Sequence, residues 1–324
     1  MKALVYTGAK KSIFQECADP DIVDGETIIN VACCGICGSD MHAWHGKDER
    51  RIAPLILGHE VVGKLDNGQR SAINPLMVCG MCQYCKTGQS HLCLKRDILG
   101  MRRQGGFAEK VRIKNENIYP ISDQLSFEDA ALAEPLACSL HAKNLLTYND
   151  QIDKDCRIVI LGGGAIGLLA AMLASHSGYK DVWIGEMNPY RRAILQKCLE
   201  VNIYDPASTT PQANTAHMVL DSVGSGKTRK ASTELVAAGG RIVHIGLQDN
   251  NEGLDTRRLT LQEISFQGSY CYHTKDFKDA LTLLEKGHIS AKGWVEVRPL
   301  KDGLQAFNDI DQGVATPKII LQAV

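Results

Sequence analysis

Residues 157–178 read RIVILGGGAIGLLAAMLASHSG, which predicts an apolar strand, a glycine turn and an apolar helix. Gly162, Gly164 and Gly167 satisfy the pattern GxGxxG, whose glycines allow a tight turn, a close approach to a pyrophosphate and close packing of the helix. The N–H groups at the start of such a helix favour phosphate charge. The predicted phosphate contacts are Gly162, Gly164, Ala165, Ile166 and Gly167. The stretch therefore predicts a dinucleotide site, although GxGxxG alone also occurs at ordinary strand-to-helix turns.

An acidic residue completes the dinucleotide pattern. The next predicted strand, DVWIGE, ends at Glu186, 19 positions after Gly167. A carboxylate there can accept hydrogen bonds from the adenosine ribose and repels a 2′-phosphate, which favours NAD over NADP. Arg191 and Arg192 follow and could soften that preference, although arginines at the start of a surface helix are usually solvated. We count Arg191 among the predicted cofactor contacts.

The pattern of predicted secondary structure changes along the chain and indicates two domains. Up to about residue 135, short β-rich runs such as ALVYTG and ETIINVACCG are broken by Gly, Pro and Asn. From about residue 155, apolar strands alternate with helices such as KTRKASTELVAAGG, as in a parallel α/β sheet. We expect an α/β protein with a β-rich domain at residues 1–136 and 273–324. A doubly wound Rossmann domain is expected between them, at residues 137–272.

Composition argues against several classes of protein. The chain has 324 residues, a formal net charge of −1 and no long run of one sign, so neither nucleic acid nor an anionic membrane is an expected partner. Residues 158–175 carry no charge and are about long enough to cross a bilayer. Three consecutive glycines favour a buried strand, turn and helix there instead. The N-terminus lacks a signal-peptide pattern, so the twelve cysteines predict a reducing, cytoplasmic environment.

Four cysteines spaced CxxCxxCx7C predict a closed metal site. Two-residue gaps bring thiolates onto one side of a tight loop, where four sulfurs surround Zn²⁺ and leave no position for water. The alternatives are a disulfide cluster, unrelated buried cysteines and an iron–sulfur cluster. A reducing environment and the lack of apolar periodicity favour a structural zinc ion. Its expected ligands are Cys79, Cys82, Cys85 and Cys93.

Two further stretches, CGICGSDMHAW at 34–44 and PLILGHEVVG at 54–63, offer a mixed ligand set. Cys37, His59 and Glu60 would supply a thiolate, an imidazole and a carboxylate, a combination that suits zinc with an open position. Taken alone these residues are weak evidence, because His59 could be a satisfied core histidine and Glu60 a surface charge.

These motifs together give the chain a family resemblance. Over essentially its full length it resembles the zinc-dependent medium-chain alcohol dehydrogenases, through GICGSDMH, LGHE, CGMCQYC, AEPLACSLHA and GGGAIG in that order. AEPLACSLHA is most similar to the polyol branch, which includes sorbitol, 2,3-butanediol and threonine dehydrogenases. The resemblance implies a GroES-like fold for the β-rich domain, two zinc ions per chain and NAD as the cofactor.

The resemblance also implies a catalytic zinc site. Cys37, His59 and Glu60 would hold the ion, and Glu134 would be either a direct ligand or linked to it through water. Otherwise Glu134 is an ordinary acidic residue of a first helical turn. Zinc would lower the pKa of the substrate hydroxyl, and hydride would pass from carbon to the nicotinamide.

A proton relay follows from the same resemblance. The proton would leave through Ser39, a ribose hydroxyl of the cofactor and His42, which can titrate near neutral pH. Asp40 would orient a ligand such as His59 from behind. Without the metal ligands beside them, Ser39 would be read as a loop cap and His42 as a surface histidine.

The expected reaction is the NAD-dependent oxidation of a secondary alcohol or polyol. Cys271 stands where sorbitol dehydrogenases have an arginine, and GSYCYHTKDF is more similar to butanediol-type members, which favours a small vicinal diol. An L-threonine 3-dehydrogenase is the alternative enzyme, and an idle NAD-binding scaffold of the same fold is the alternative without activity. A homotetramer is the expected assembly, with a dimer next.

Overall fold

The computed structural model describes residues 1–323 and divides into two compact units. The first comprises Met1–Pro135 with His273–Val324, and the second comprises Leu136–Tyr272. The expected combination of a β-rich domain and an inserted parallel α/β domain is confirmed. Each unit buries its own apolar cluster.

The first unit consists mainly of short strands. In chain order they are β1 (Lys2–Gly8), β2 (Lys11–Glu16), β3 (Glu26–Gly35), β4 (Leu55–Ile56), β5 (Glu60–Lys64), β6 (Arg70–Ile73), β7 (Leu76–Met77), β8 (Asp97–Ile98), β9 (Lys110–Lys114) and β10 (Ile118–Pro120), with β17 (Val295–Pro299) and β18 (Lys318–Gln322) near the C-terminus. Its helices are α1 (Gly38–Trp44), α2 (Gln83–Lys86), α3 (Phe127–Ala130), α9 (Thr274–Glu285) and α10 (Gly303–Asp311). Helix α4 (Ala133–Leu146) carries the chain into the second unit.

The long strand β3 organises the first unit. Its sheet has the order β10-β6-β5-β3-β18-β17, and β9 also pairs with β3. The first unit also contains a separate three-stranded sheet with the order β2-β1-β4. Trp44 at the end of α1 is fully buried and stacks on Phe307, with ring centroids 5.1 Å apart. Helix α1 is therefore fixed to the core close to the end of β3.

The second unit is a parallel sheet with the order β13-β12-β11-β14-β15-β16. Its strands are β11 (Ile158–Leu161), β12 (Val182–Gly185), β13 (Asn202–Tyr204), β14 (Ala216–Asp221), β15 (Val236–His244) and β16 (Ser265–Gly268). Its helices are α5 (Ala165–His176), α6 (Pro189–Cys198), α7 (Gly226–Leu235) and α8 (Thr256–Leu261). The strand order reverses between β11 and β14, and such a switch point is where doubly wound sheets bind dinucleotides.

One helix is shorter than the sequence predicts. The pattern KTRKASTELVAAGG predicts helix as far as Gly240, but α7 ends at Leu235 and β15 begins at Val236. Val236 is buried and pairs with Ala216, while Gly239 adopts a positive φ of 69° where the register shifts. A buried β-branched residue and a glycine bulge thus extend the strand backward.

The uncharged stretch at 158–175 forms β11, a glycine turn and most of α5. Across the described residues, no helix combines the length and the apolar character required to cross a membrane.

Candidate active site and metal centres

The four cysteines of the CxxCxxCx7C motif converge in the structure. Their sulfurs all lie within 4.8 Å of one another, and the Cys82–Cys85 and Cys79–Cys93 sulfur pairs are both 3.5 Å apart. Tetrahedral zinc with Zn–S bonds of about 2.3 Å requires the sulfurs to lie about 3.8 Å apart. All four are free thiols without disulfides. The arrangement fits a closed tetrathiolate zinc site.

Backbone geometry prepares this cluster for a cation. N–H groups of Met81 and Cys82 point at the Cys79 sulfur and lower its pKa to about 6. Burial and the neighbouring thiols raise the pKa of Cys85 to about 12. A metal ion that enters must displace the protons that remain on these thiols.

The second ligand set comes together through strand pairing. Gly35 at the end of β3 pairs with Glu60 at the start of β5. Cys37 and His59 flank this pair in sequence, so the register brings both side chains to one point. The ligand atoms of Cys37, His59 and Glu60 all lie within 4.8 Å of one another. A Cβ on Gly35 would fall 1.8 Å from a Glu60 oxygen, so a larger residue there would displace the Glu60 carboxylate.

Asp40 supports this second set from a fully buried position. One carboxylate oxygen accepts a hydrogen bond from the Cys37 N–H at 3.0 Å, and the other lies 3.6 Å from His59 Nδ1. Burial alone would raise the pKa of Asp40, but the charges of His59 and Arg51 lower it overall. Asp40 is therefore an anion that contacts both Cys37 and His59. This is the position required of a residue that orients the His59 ring.

A lysine that the sequence did not reveal contacts Glu60. Lys318 is buried, and its ammonium group donates to Ile36 O at 2.9 Å and also to the Glu60 carboxylate. Burial lowers the pKa of Lys318, but the charges of Glu60 and Cys37 more than offset this, so it is raised. Glu60 thus lies in the ligand group but already has a cationic partner. The only sequence signal is a lysine opening the apolar run KIILQAV.

The remaining predicted residues of this site lie close by. Glu134 is buried in the first turn of α4 and, among the described residues, stands outside the group of mutually close ligands. Its charge nevertheless acts on Lys318. The Ser39 N–H donates to the Cys37 sulfur at 3.5 Å, and His42 is half-buried on the same helix, α1. Arg51, also unpredicted, contacts Ser39.

The glycine turn has the geometry that a pyrophosphate requires. Gly162 has a φ of 101°, and a Cβ on Gly167 would lie 1.9 Å from Gly162 O. Gly164 caps the N-terminus of α5, and a Cβ there would meet nothing within 4 Å. Ala165 and Ile166 form the first helical positions beside that open space. This cradle fits the phosphates of a dinucleotide.

Glu186 lies buried beside the turn at the end of β12. Its carboxylate accepts hydrogen bonds from Gly163 N, Asn188 N and Arg191 Nη2, at 3.0, 2.8 and 3.0 Å. A carboxylate offers about four acceptor positions, so it can accept a further hydroxyl. Arg191 therefore lies at the predicted subsite as the partner of Glu186, whereas Arg192 donates to Glu186 O and pairs with Asp205.

Comparisons with known proteins show the family to which the chain belongs. Residues 23–123 match the model of the alcohol dehydrogenase GroES-like domain, and residues 165–286 match that of the zinc-binding dehydrogenase. The D-arabitol-phosphate dehydrogenase of Enterococcus avium is 30% identical, over 94% of this chain and 92% of its own. The sorbitol dehydrogenase of Halalkalibacterium halodurans is 30% identical over 100% of both chains.

A solved structure shares the same fold. The galactitol-1-phosphate dehydrogenase of Escherichia coli superposes with a TM-score of 0.88 at 25% identity, over 99% of this chain and 100% of that one. Two metal-ligand groups, a dinucleotide cradle, two family models and full-length relatives point the same way. The chain belongs to the zinc-dependent medium-chain alcohol dehydrogenases, in the polyol branch of that family.

Proposed function

We propose that this protein transfers a hydride between a secondary alcohol or polyol and NAD, with a small vicinal diol or a sugar alcohol as substrate. The observation that carries the proposal is the convergence of Cys37, His59 and Glu60, with Ser39 and Asp40 on the adjoining helix. Relatives named for arabitol phosphate and sorbitol support a polyhydroxylated substrate.

Each residue of the site has a definable task. Cys37, His59 and Glu60 would hold zinc, with Glu134 as a direct ligand or as a partner through water. Bound there, zinc supplies Lewis-acid chemistry that acidifies the substrate hydroxyl, and NAD supplies the hydride acceptor. Asp40 keeps the His59 ring oriented.

Proton removal falls to Ser39 and His42. The Ser39 hydroxyl would accept the substrate proton while releasing its own, and a ribose hydroxyl of bound NAD would supply the link from Ser39 to His42. Burial lowers the pKa of His42, and the charges of His45, Arg51 and Lys47 oppose the raising effect of Asp48. His42 is therefore neutral at neutral pH and able to accept a proton.

The preferred cofactor is NAD. Glu186 is a buried carboxylate, and at the proposed ribose subsite it would repel the 2′-phosphate of NADP and weaken its binding. Arg191 neutralises part of that charge through its 3.0 Å contact, so discrimination should be incomplete. The ratio of kcat/KM for NAD to that for NADP measures this effect.

The test is an NAD-linked activity screen over diols, sugar alcohols and hydroxy acids, coupled to metal analysis. The wild-type protein should contain two zinc ions per chain, whereas Cys37→Ser should retain one and lose turnover. Cys198→Ser, at a half-buried position in α6, is the matched control and should keep both properties. Retained turnover in Cys37→Ser would contradict a catalytic zinc, and oxidation of threonine without any diol would favour the threonine-type alternative.

A cytoplasmic homotetramer completes the proposal, with a dimer as the next possibility. All twelve cysteines are free thiols in the described part of the chain. Five of the seven residues in the two clusters are cysteines, whose thiolates persist as metal ligands in a reducing compartment. Light scattering coupled to size-exclusion chromatography would measure the assembly.

A further inference from the structure

Arg51 lies in the loop between α1 and β4 and is buried, with 1% of its side chain exposed. Its guanidinium makes four hydrogen bonds within the first unit. Nε donates to Gly100 O at 2.9 Å, and one terminal nitrogen donates to Ser39 O at 3.2 Å and to Asp48. The other donates to the Ser39 hydroxyl oxygen at 3.1 Å and lies 4.0 Å from Asp40.

These contacts make Arg51 unsuitable as a substrate-binding group. Of its five N–H donors, four are already used by protein acceptors, and its charge is balanced by the nearby carboxylates of Asp48 and Asp40. A substrate carboxylate or phosphate would have to displace them in a buried site. The role of Arg51 must therefore act through the residues that it holds.

Ser39 is the residue that Arg51 holds at two points. A serine in the first turn of a helix readily bonds to nearby backbone groups, and its hydroxyl can rotate among three positions. Arg51 donates to both the carbonyl oxygen and the hydroxyl oxygen of Ser39. These two bonds hold the Ser39 backbone in place and occupy one lone pair of its hydroxyl oxygen. The hydroxyl proton is then directed away from the guanidinium.

We propose that Arg51 is the positioning residue of the proton relay, and that it holds the Ser39 hydroxyl in the orientation needed to exchange a proton with the substrate. This role rests on the proposed function of Ser39. It requires the planar fork of arginine, because a lysine cannot reach Gly100 O and both Ser39 oxygens at once.

Arg50 provides a matched control one residue away. It also pairs with Asp48, at 2.8 Å, but 47% of its side chain is exposed. Removing its charge changes the same loop and the same carboxylate. Arg50→Met should therefore keep wild-type kcat within about twofold, as expected for an exposed ion pair.

The test is a double-mutant cycle between positions 51 and 39, measured as kcat and KM. Arg51→Met should lower kcat by about 100-fold, a loss that displacing a reacting group by about 1 Å can cause, with KM for NAD nearly unchanged. In the Ser39→Ala background it should cost less than about threefold, because the group it positions is gone. Arg51→Lys should fall between wild type and Arg51→Met, and it replaces Arg51→Met in the cycle if that variant does not fold.

A crystal structure of Arg51→Met gives a second readout that needs no activity. The Ser39 side chain should leave its wild-type position. An unmoved Ser39, equal losses in both backgrounds or wild-type kcat in Arg51→Lys would overturn the role of Arg51 while leaving the dehydrogenase function intact. Full turnover in Ser39→Ala would overturn the relay and the role of Arg51 together, and the zinc dependence of that turnover would report on the dehydrogenase function separately.

Discussion

At the scale of single residues, the ion pair between Glu60 and Lys318 is the least expected feature of the site. Both side chains are almost completely inaccessible to water. Burying such a pair costs the hydration free energy of both ions. Their mutual attraction and additional hydrogen bonds offset that cost. The Ile36 carbonyl supplies one such bond to Lys318. The Glu60 carboxylate therefore has a buried cationic partner within the protein itself.

This pair predicts a large effect when one partner is removed. In the metal-free protein, Lys318→Met should lower the free energy of unfolding by about 3–5 kcal/mol, because Glu60 would remain as an unpaired buried carboxylate. Chemical denaturation measures the change, with exposed Lys301→Met as the control. The double variant with Glu60→Gln should recover much of the loss. A loss below about 1 kcal/mol in Lys318→Met would contradict the buried pair.

Sequence predicted some of these residues and missed others for a physical reason. Cys37, Ser39 and Asp40 lie within one turn of chain, so their spacing alone places them together. Lys318 lies 258 positions from Glu60 and reaches it only because β18 pairs with β3. Arg51 is one of two adjacent arginines, and only the fold decides which one is buried. Long-range pairing and burial have no local signature.

At the scale of elements, the unit β11–turn–α5 was predictable because every step is local. An apolar strand, glycines at fixed offsets and an apolar helix follow one another without interruption. The boundary between α7 and β15 was not, because Val236 joins the strand through its pairing with Ala216 on β14. The ends of elements depend on neighbours that are distant in sequence.

Two glycines of the turn should respond differently to substitution. Gly167→Ala places a Cβ 1.9 Å from Gly162 O, so α5 must shift, and both thermal stability and NAD affinity should fall. The Cβ of Gly164→Ala has room within the protein, but it would enter the space proposed for the phosphates. This variant should keep its melting temperature while KM for NAD rises at least about tenfold, which corresponds to about 1.4 kcal/mol. Equal NAD affinity in Gly164→Ala and wild type would contradict the assigned cradle.

At the scale of the whole molecule, the segment at 78–96 differs from both apolar cores in its source of stability. The second unit buries an apolar cluster around β11, β14 and β15. The segment at 78–96 in the first unit has only His91 and Cys93 buried among its residues, while Met81 and Leu94 are largely exposed. So small a buried surface cannot balance the entropy of ordering this segment. We expect metal binding at the four cysteines to supply that stability.

Removing zinc should therefore affect the chain unevenly. After treatment with a strong chelator, hydrogen–deuterium exchange should rise most at 78–96, and also near Cys37 and His59, because both ligand groups lose the ion that offsets their charge. Exchange in β11, β14 and β15 should change little after chelation. Zinc added back should slow exchange at 78–96 again. NAD added separately should slow exchange around residues 162–167. Uniform exchange along the chain after chelation, or no increase at 78–96, would contradict a structural zinc at the four cysteines.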